Sequence, residues 1–191
     1  MSFCELCRKN DIQVHLTISE NKTIHICMEC NNNFTANYMG IELSSFQPGI
    51  YEFSGIRGKK HIFNVQRRVS PMGIGYEANE VTKDGSPGFT VAVMDGVDCD
   101  QQLLLEKLKT KVKKTIFKRY LKKSFSPYGG KTISIKDSEV TGRFEYNEDN
   151  DTPKLVIDGK EFTWEEFGRM LNSYEGFQFQ LKIMDITEDI K

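Results

Sequence analysis

At 191 residues, with 38% hydrophobic and 28% charged side chains, the chain has globular composition and enough length to bury a real core. No apolar run approaches the ~18 residues that span a bilayer, and the Met1-Ser2-Phe3-Cys4 start lacks the basic stretch and apolar core of a secretory signal, so a soluble, cytoplasmic protein is expected. The net charge of −1 hides segregation: residues 101–131 carry 10 basic and 1 acidic side chains, residues 132–191 carry 7 and 14, and the acidic third can partner the basic segment within one chain.

Four of the five cysteines form two Cys-x-x-Cys pairs, Cys4 with Cys7 and Cys27 with Cys30, separated by 19 residues. Two residues between thiolates let a tight turn place both sulfurs ~2.3 Å from one ion, and the long gap lets a hairpin return the second pair to complete a tetrahedron. In a reducing compartment such pairs bind metal rather than build a disulfide framework. Structural zinc, Zn(2+), on Cys4, Cys7, Cys27 and Cys30 is therefore expected, with no coordination position left for water. A redox role of the thioredoxin kind would need a βαβ pattern, which is missing.

Between the pairs, residues 13–18 and 22–26 alternate as strands around a turn at 19–21. His15 and His25 fall in this hairpin and read as structural or exposed. After Cys30, Phe34 and Tyr38 lie four apart, which predicts a short helix stopped by Gly40. Knuckle, hairpin and helix make a treble-clef-like finger over residues 1–43. In these residues, with Ile26-Cys27-Met28-Glu29-Cys30 running into a helix, the chain resembles the zinc-binding domain of the ClpX unfoldase. That resemblance implies recruitment of protein partners.

A Pro48-Gly49 turn closes a linker after residue 44, where a second domain, 44–125, is expected to begin. Runs at 50–54, 61–66, 74–79 and 89–94 read as strands separated by turn residues, which predicts an antiparallel sheet. Asp95, Asp98 and Asp100 lack the spacing of an EF-hand calcium loop. One of Asp98 and Asp100 is better read as the N-cap of the next helix.

That helix is expected over 101–123, with Leu104, Leu105, Leu108, Val112, Ile116 and Tyr120 forming an apolar stripe for the sheet. Lys107, Lys111, Lys114, Lys118 and Lys122 continue down another side. Such a row can neutralise phosphates and bind a polyanion. The same lysines can also form a solvated face, meet an acidic partner protein, or pair with the acidic C-terminal third. Cys99 and His61 have the chemistry of a thiol nucleophile and its base, but a lone cysteine reads first as a small buried hydrophobe.

The third domain, 126–191, opens with a turn at 126–130 and continues as strands at 131–136 and 140–146 and an acidic turn at 147–151. Asp158-Gly159 between apolar runs predicts a tight hairpin. Thr163 with Glu166 forms a capping box that starts a helix at Trp164, in which Trp164 and Phe167 read as core anchors. The alternating run 177–183 predicts a final strand. Glu161, Glu165, Glu166 and Arg169 are explained by helix electrostatics without a catalytic role. The stretch 157–171, with Tyr174-Glu175-Gly176-Phe177-Gln178 and the Cys-x-x-Cys finger, resembles an uncharacterised family of bacterial proteins, which implies shared architecture and brings no activity.

These readings add up to an α+β fold: a treble-clef-like finger, a central antiparallel sheet with one long amphipathic helix, and a small C-terminal hairpin, helix and strand unit. No phosphate loop, His-Glu-x-x-His helix or Gly-x-Ser-x-Gly elbow is present. The expected function is a non-catalytic zinc-stabilised adaptor or regulatory protein that binds another macromolecule, a protein first. The alternatives are nucleic-acid binding through the lysine row and an enzyme of unrecognised class. Neither a membrane nor a small-molecule substrate is expected as partner.

Overall fold

A computed structural model of the protein describes residues 3–20, 22–125, 130–148 and 151–189. Parts of the turns expected at 19–21, 126–130 and 147–151 lie outside the described residues. The described residues form four antiparallel sheets and three α-helices, an α+β architecture as expected. None of these helices is long and apolar enough to cross a membrane.

The finger follows its sequence pattern. β1 (Val14–Ser19) pairs antiparallel with β2 (Lys22–Ile26), and α1 (Met28–Met39) starts directly behind β2. Gly40 ends α1 with a left-handed φ of 68°, which lets the N–H groups of Gly40 and Ile41 reach the carbonyls of Asn37 and Ala36.

The central sheet is a meander of β3 (Gly49–Ser54), β4 (Lys60–Ser70), β5 (Gly73–Glu80) and β6 (Thr90–Asp95), ordered β3-β4-β5-β6. β4 runs four residues past the expected end at 66. Because side chains alternate across a strand, His61, Phe63, Val65, Arg67 and Val69 all point into the core and all are buried. α2 (Gln101–Phe117) covers this face with Leu104, Leu108, Val112 and Ile116. Of the two candidate caps it is Asp100 that accepts from the N–H groups of Gln102 and Leu103, at 2.9 and 3.0 Å.

α2 stops at Phe117 rather than at Lys123. Lys118 is already extended, and β7 (Leu121–Phe125) pairs with β8 (Lys131–Ile135). The stripe fails at Tyr120, which packs with Leu121 into a second core made by Ile135, Leu155, Ile157, Phe162 and Met170. That core belongs to the C-terminal unit, built from β9 (Arg143–Glu145), β10 (Lys154–Ile157), β11 (Lys160–Phe162) and α3 (Trp164–Leu171). Helix propensity across 118–123 yields to tertiary pairing. The carboxylate of Asp158 accepts the N–H groups of Tyr120 and Leu121 at 2.9–3.1 Å and turns the chain out of α2.

Asp158 and Gly159 hold φ of 52° and 75°, the left-handed pair a two-residue hairpin needs. The hairpin tip rests on the connection between β5 and β6, where a Cβ on Gly159 would come within 3.3 Å of the Gly88 backbone. Arg143 adds a hydrogen bond to the Gly88 carbonyl at 2.8 Å. The capping box at Thr163 and Glu166 is present. Two expectations need correction. Trp164 is 41% exposed and stacks on Phe144 outside the core, because the buried face of α3 is set by Met170 and Phe167. Residues 177–183 form no strand, because no described strand lies beside them to complete a ladder.

The finger joins the sheet through side chains. β3 pairs β4 only as far as Val65, so the β4 edge beyond it has no strand neighbour among the described residues. Asn32 of α1 takes the strand's place: its amide donates to the Arg67 carbonyl at 2.7 Å and accepts from the Val69 N–H at 3.0 Å, fully buried. Asn32→Ala removes both bonds and leaves two backbone groups unpaired in the interior, with an expected loss of about 2 kcal/mol. Urea unfolding reads this, and a loss below about 0.5 kcal/mol, the level of an ordinary surface change, would show that Asn32 does not act as a strand substitute.

Candidate metal centre

Two local structures present the four cysteines. The Cys4–Cys7 knuckle closes on itself, with the Cys4 N–H donating to the Asn10 carbonyl at 2.8 Å and the Arg8 N–H to the Cys4 carbonyl at 2.9 Å. Cys27 is the N-cap of α1 and Cys30 lies in its first turn, so the start of the helix fixes the spacing of the second pair. All four Sγ atoms lie within 4.8 Å of one another, and none is in a disulfide. Cys7 and Cys27 stand 3.8 Å apart, matching the ~3.8 Å edge of a tetrahedron with ~2.3 Å metal–sulfur bonds.

The acidities of the thiols follow from their partners. Burial pushes Cys4 up, but backbone N–H groups of Cys7, Cys27 and Leu6 outweigh it and hold the thiol at about 6 against an ordinary 9.0. Backbone N–H groups of Lys9 and Asn10 lower Cys7. Cys30 is raised, by burial and then by the neighbouring sulfurs of Cys27, Cys4 and Cys7. Three sulfurs crowding a fourth keep its proton on unless a cation is present. A four-sulfur tetrahedral donor set suits a soft metal ion, and that ion drives off the last proton. Asn10 Nδ2, 3.7 Å from the Cys27 sulfur, adds an outer contact.

His15 and His25 face each other across β1 and β2 with their Nδ1 atoms in contact and are not part of the sulfur cluster. On the Cys27 side, a cleft of about 550 Å³ separates finger from sheet, lined by amides such as Asn10, Gln13, Asn64 and Gln66 and by the charged Lys9, Asp11, Glu29 and Arg67. Glu29, between two metal ligands, reaches Arg67 at 3.8 Å. Arg67 also donates to the Ser44 carbonyl at 2.8 Å and to Gln101 at 3.3 Å, and lies over the Phe46 ring. The centre is thereby tied to the linker and to the start of α2.

The five lysines do not form one face. Lys111 is mostly buried, and its ammonium, with three N–H donors, lies within 2.6–3.1 Å of the carbonyl oxygens of Ala92, Ile186, Thr187 and Glu188. Burial lowers its pKa, partly offset by the Asp189 carboxylate. Lys107 also faces Asp189, at 3.9 Å. Lys118 lies beyond the helix end, paired with Glu139 at 2.9 Å and over the Tyr120 ring. Lys122 sits on β7, and Lys114 is exposed on α2.

His61 and Cys99 are not brought together. His61 pairs opposite Phe53 and bonds Glu80 at 2.6 Å, whereas Cys99 follows β6 at the opposite end of the sheet, beside the central core. Burial and then the Asp95 carboxylate raise the Cys99 thiol, which makes it a poor nucleophile. The Asp95 carboxylate binds the Gly96 N–H and Asp100 caps α2, so two of the three loop aspartates have structural partners.

Residues 44–117 match a family model described as Domain of unknown function (DUF7686), and residues 120–188 match another, Domain of unknown function (DUF7713). The two matches meet where α2 ends and Asp158 captures the chain, and the finger precedes both. No curated protein and no solved structure matches the chain.

Two outcomes are expected. A thiol lowered from about 9 to about 6 by folding stabilises the metal-free folded finger fully above pH 9 and loses that contribution as the pH falls through about 6; a bound ion competes with protons for the same sulfur, so metal should be released on acidification below that value. Cobalt(II) substitution with absorbance read against pH checks this; sulfur-to-cobalt bands that persist unchanged to pH 4 would contradict it. Lys111→Met should free residues 185–188, seen as faster amide exchange there than in wild type while the α2 interior is unchanged.

Proposed function

We propose that the metal is zinc, that it is structural, and that the protein is a non-catalytic adaptor or regulator whose partner is another protein. The observation that carries this reading is the outward face of α1. Its inner face, Asn32 and Ala36, is buried, while Phe34 and Tyr38, one turn apart, are 43% and 87% exposed. Two aromatic side chains on a metal-rigidified helix offer a partner large apolar area at low entropic cost. Four sulfur ligands complete a tetrahedron and leave no position for a substrate, which favours a scaffolding ion over a catalytic one. Residues resembling the ClpX finger support protein recruitment as the use of this face.

Nucleic-acid binding through the lysine row has less support. Lys107, Lys111 and Lys118 already meet carboxylates or carbonyls of the same chain, and separating these would offset the gain from counterion release. An enzyme reading loses its thiol and base pair, since His61 and Cys99 stand apart.

The test is capture from host lysate, with and without nuclease, using wild type, Phe34→Asp/Tyr38→Asp and Lys114→Glu/Lys122→Glu. A single partner should survive nuclease and the lysine changes, and its recovery should fall at least ~10-fold with the aromatic pair replaced, the equivalent of about 1.4 kcal/mol. All variants should keep one zinc per chain by elemental analysis. Nucleic acid recovered with wild type and lost with the lysine variant would replace this reading.

A further inference from the structure

Residues 177–183 read Phe-Gln-Phe-Gln-Leu-Lys-Ile, a strand pattern with one apolar and one polar face. The segment nevertheless has no strand beside it among the described residues, and Phe177, Phe179, Leu181 and Ile183 are 71%, 93%, 69% and 72% exposed. Both flanks are fixed. Upstream, Tyr174 packs on the C-terminal core, its carbonyl accepts the Phe177 N–H at 2.9 Å and its ring meets Phe177 edge-on. Downstream, Asp185 binds the Thr187 N–H, and Lys111 holds the carbonyls of 186–188. A stretch anchored at both ends with an unpaired backbone and a row of four large apolar side chains is a template for strand addition.

We propose that residues 177–183 pair antiparallel with the same segment of a second copy of this chain, forming a two-fold symmetric dimer. The sequence is self-complementary in the register centred on Gln180. Phe177 then stands opposite the partner's Ile183, and Phe179 opposite the partner's Leu181, all on one face. On the other face Gln178 stands opposite the partner's Lys182, and no like charges are opposed. A slip of one residue would set the apolar row against glutamine and lysine, so the pattern itself fixes the parity of the register. With Phe side chains of ~150–250 Å² each, the four exposed residues supply several hundred Å² per copy, the scale of the ~800 Å² per partner in a standard interface.

The symmetry supplies the test. Gln180 is the residue that meets its own copy, so Gln180→Cys should cross-link under mild oxidation as a dimer on non-reducing gels, while Gln178→Cys should not, because its opposite residue is four positions away. Both are made on the full metal-loaded chain, with Cys99→Ser in the background. Sedimentation velocity should show a concentration-dependent dimer for wild type, and Phe179→Asp should raise the dissociation constant at least ~10-fold with metal content and circular dichroism unchanged. A wild type that stays monomeric at 100 μM or so, a dimer indifferent to Phe179→Asp, or equal cross-linking at 178 and 180 would each overturn the proposal.

Discussion

Everything at the finger–sheet junction depends on a positive charge taken out of water. Arg67 lies on the core face of a central strand, 4% exposed, and burying a guanidinium costs several kcal/mol unless its donors are satisfied. Its partners are mainly neutral oxygens, the Ser44 carbonyl and the Gln101 amide, whereas the Glu29 carboxylate stands off at 3.8 Å. Gln101 in turn accepts from Ser44 and donates to the Glu42 carbonyl. One buried charge thus forces linker, helix start and finger into a single arrangement, because each must present an oxygen to it.

The metal centre and this junction are coupled by position. Cys27 and Cys30 bracket Glu29 and open the helix that carries Asn32, so an ion held by the four sulfurs would also set where Asn32 meets the sheet edge. A finger held only by its own small cluster of Ile26 and the cysteines has little apolar area to stabilise it. Docking on β4 supplies part of what the core does not, and metal ligation by the four sulfurs would supply the rest.

The zinc-type spacing, the hairpin, the Asp-Gly turn, the capping box and the central meander were legible because each rests on local chemistry: ligand spacing, alternation, left-handed turn residues and side-chain caps. The junction was not. Arg67 continues the inward register of His61, Phe63 and Val65, and a charge in that register is a signal, but its partners come from Ser44 and Gln101, far apart in sequence. The end of α2 was missed for the opposite reason. Lys118 to Lys123 contain good helix formers, and only Asp158, about forty residues on, takes them out of the helix. Trp164 shows that an aromatic on a capped amphipathic helix need not face the core when its neighbours Phe167 and Met170 already fill it.

The Lys111 clamp has a consequence for the order of events during synthesis. Three of its carbonyl partners lie 75–77 residues downstream and the fourth, Ala92, lies upstream on β6, so α2 and the sheet can assemble on the ribosome while this ammonium has one carbonyl and is otherwise hydrated. At several residues per second, the closing segment emerges seconds later, and only then do backbone oxygens replace the rest of the water around the charge. The most buried of the lysines in the row is therefore the last to complete its set of partners, and its burial marks the point at which residues 186–188 have closed over α2.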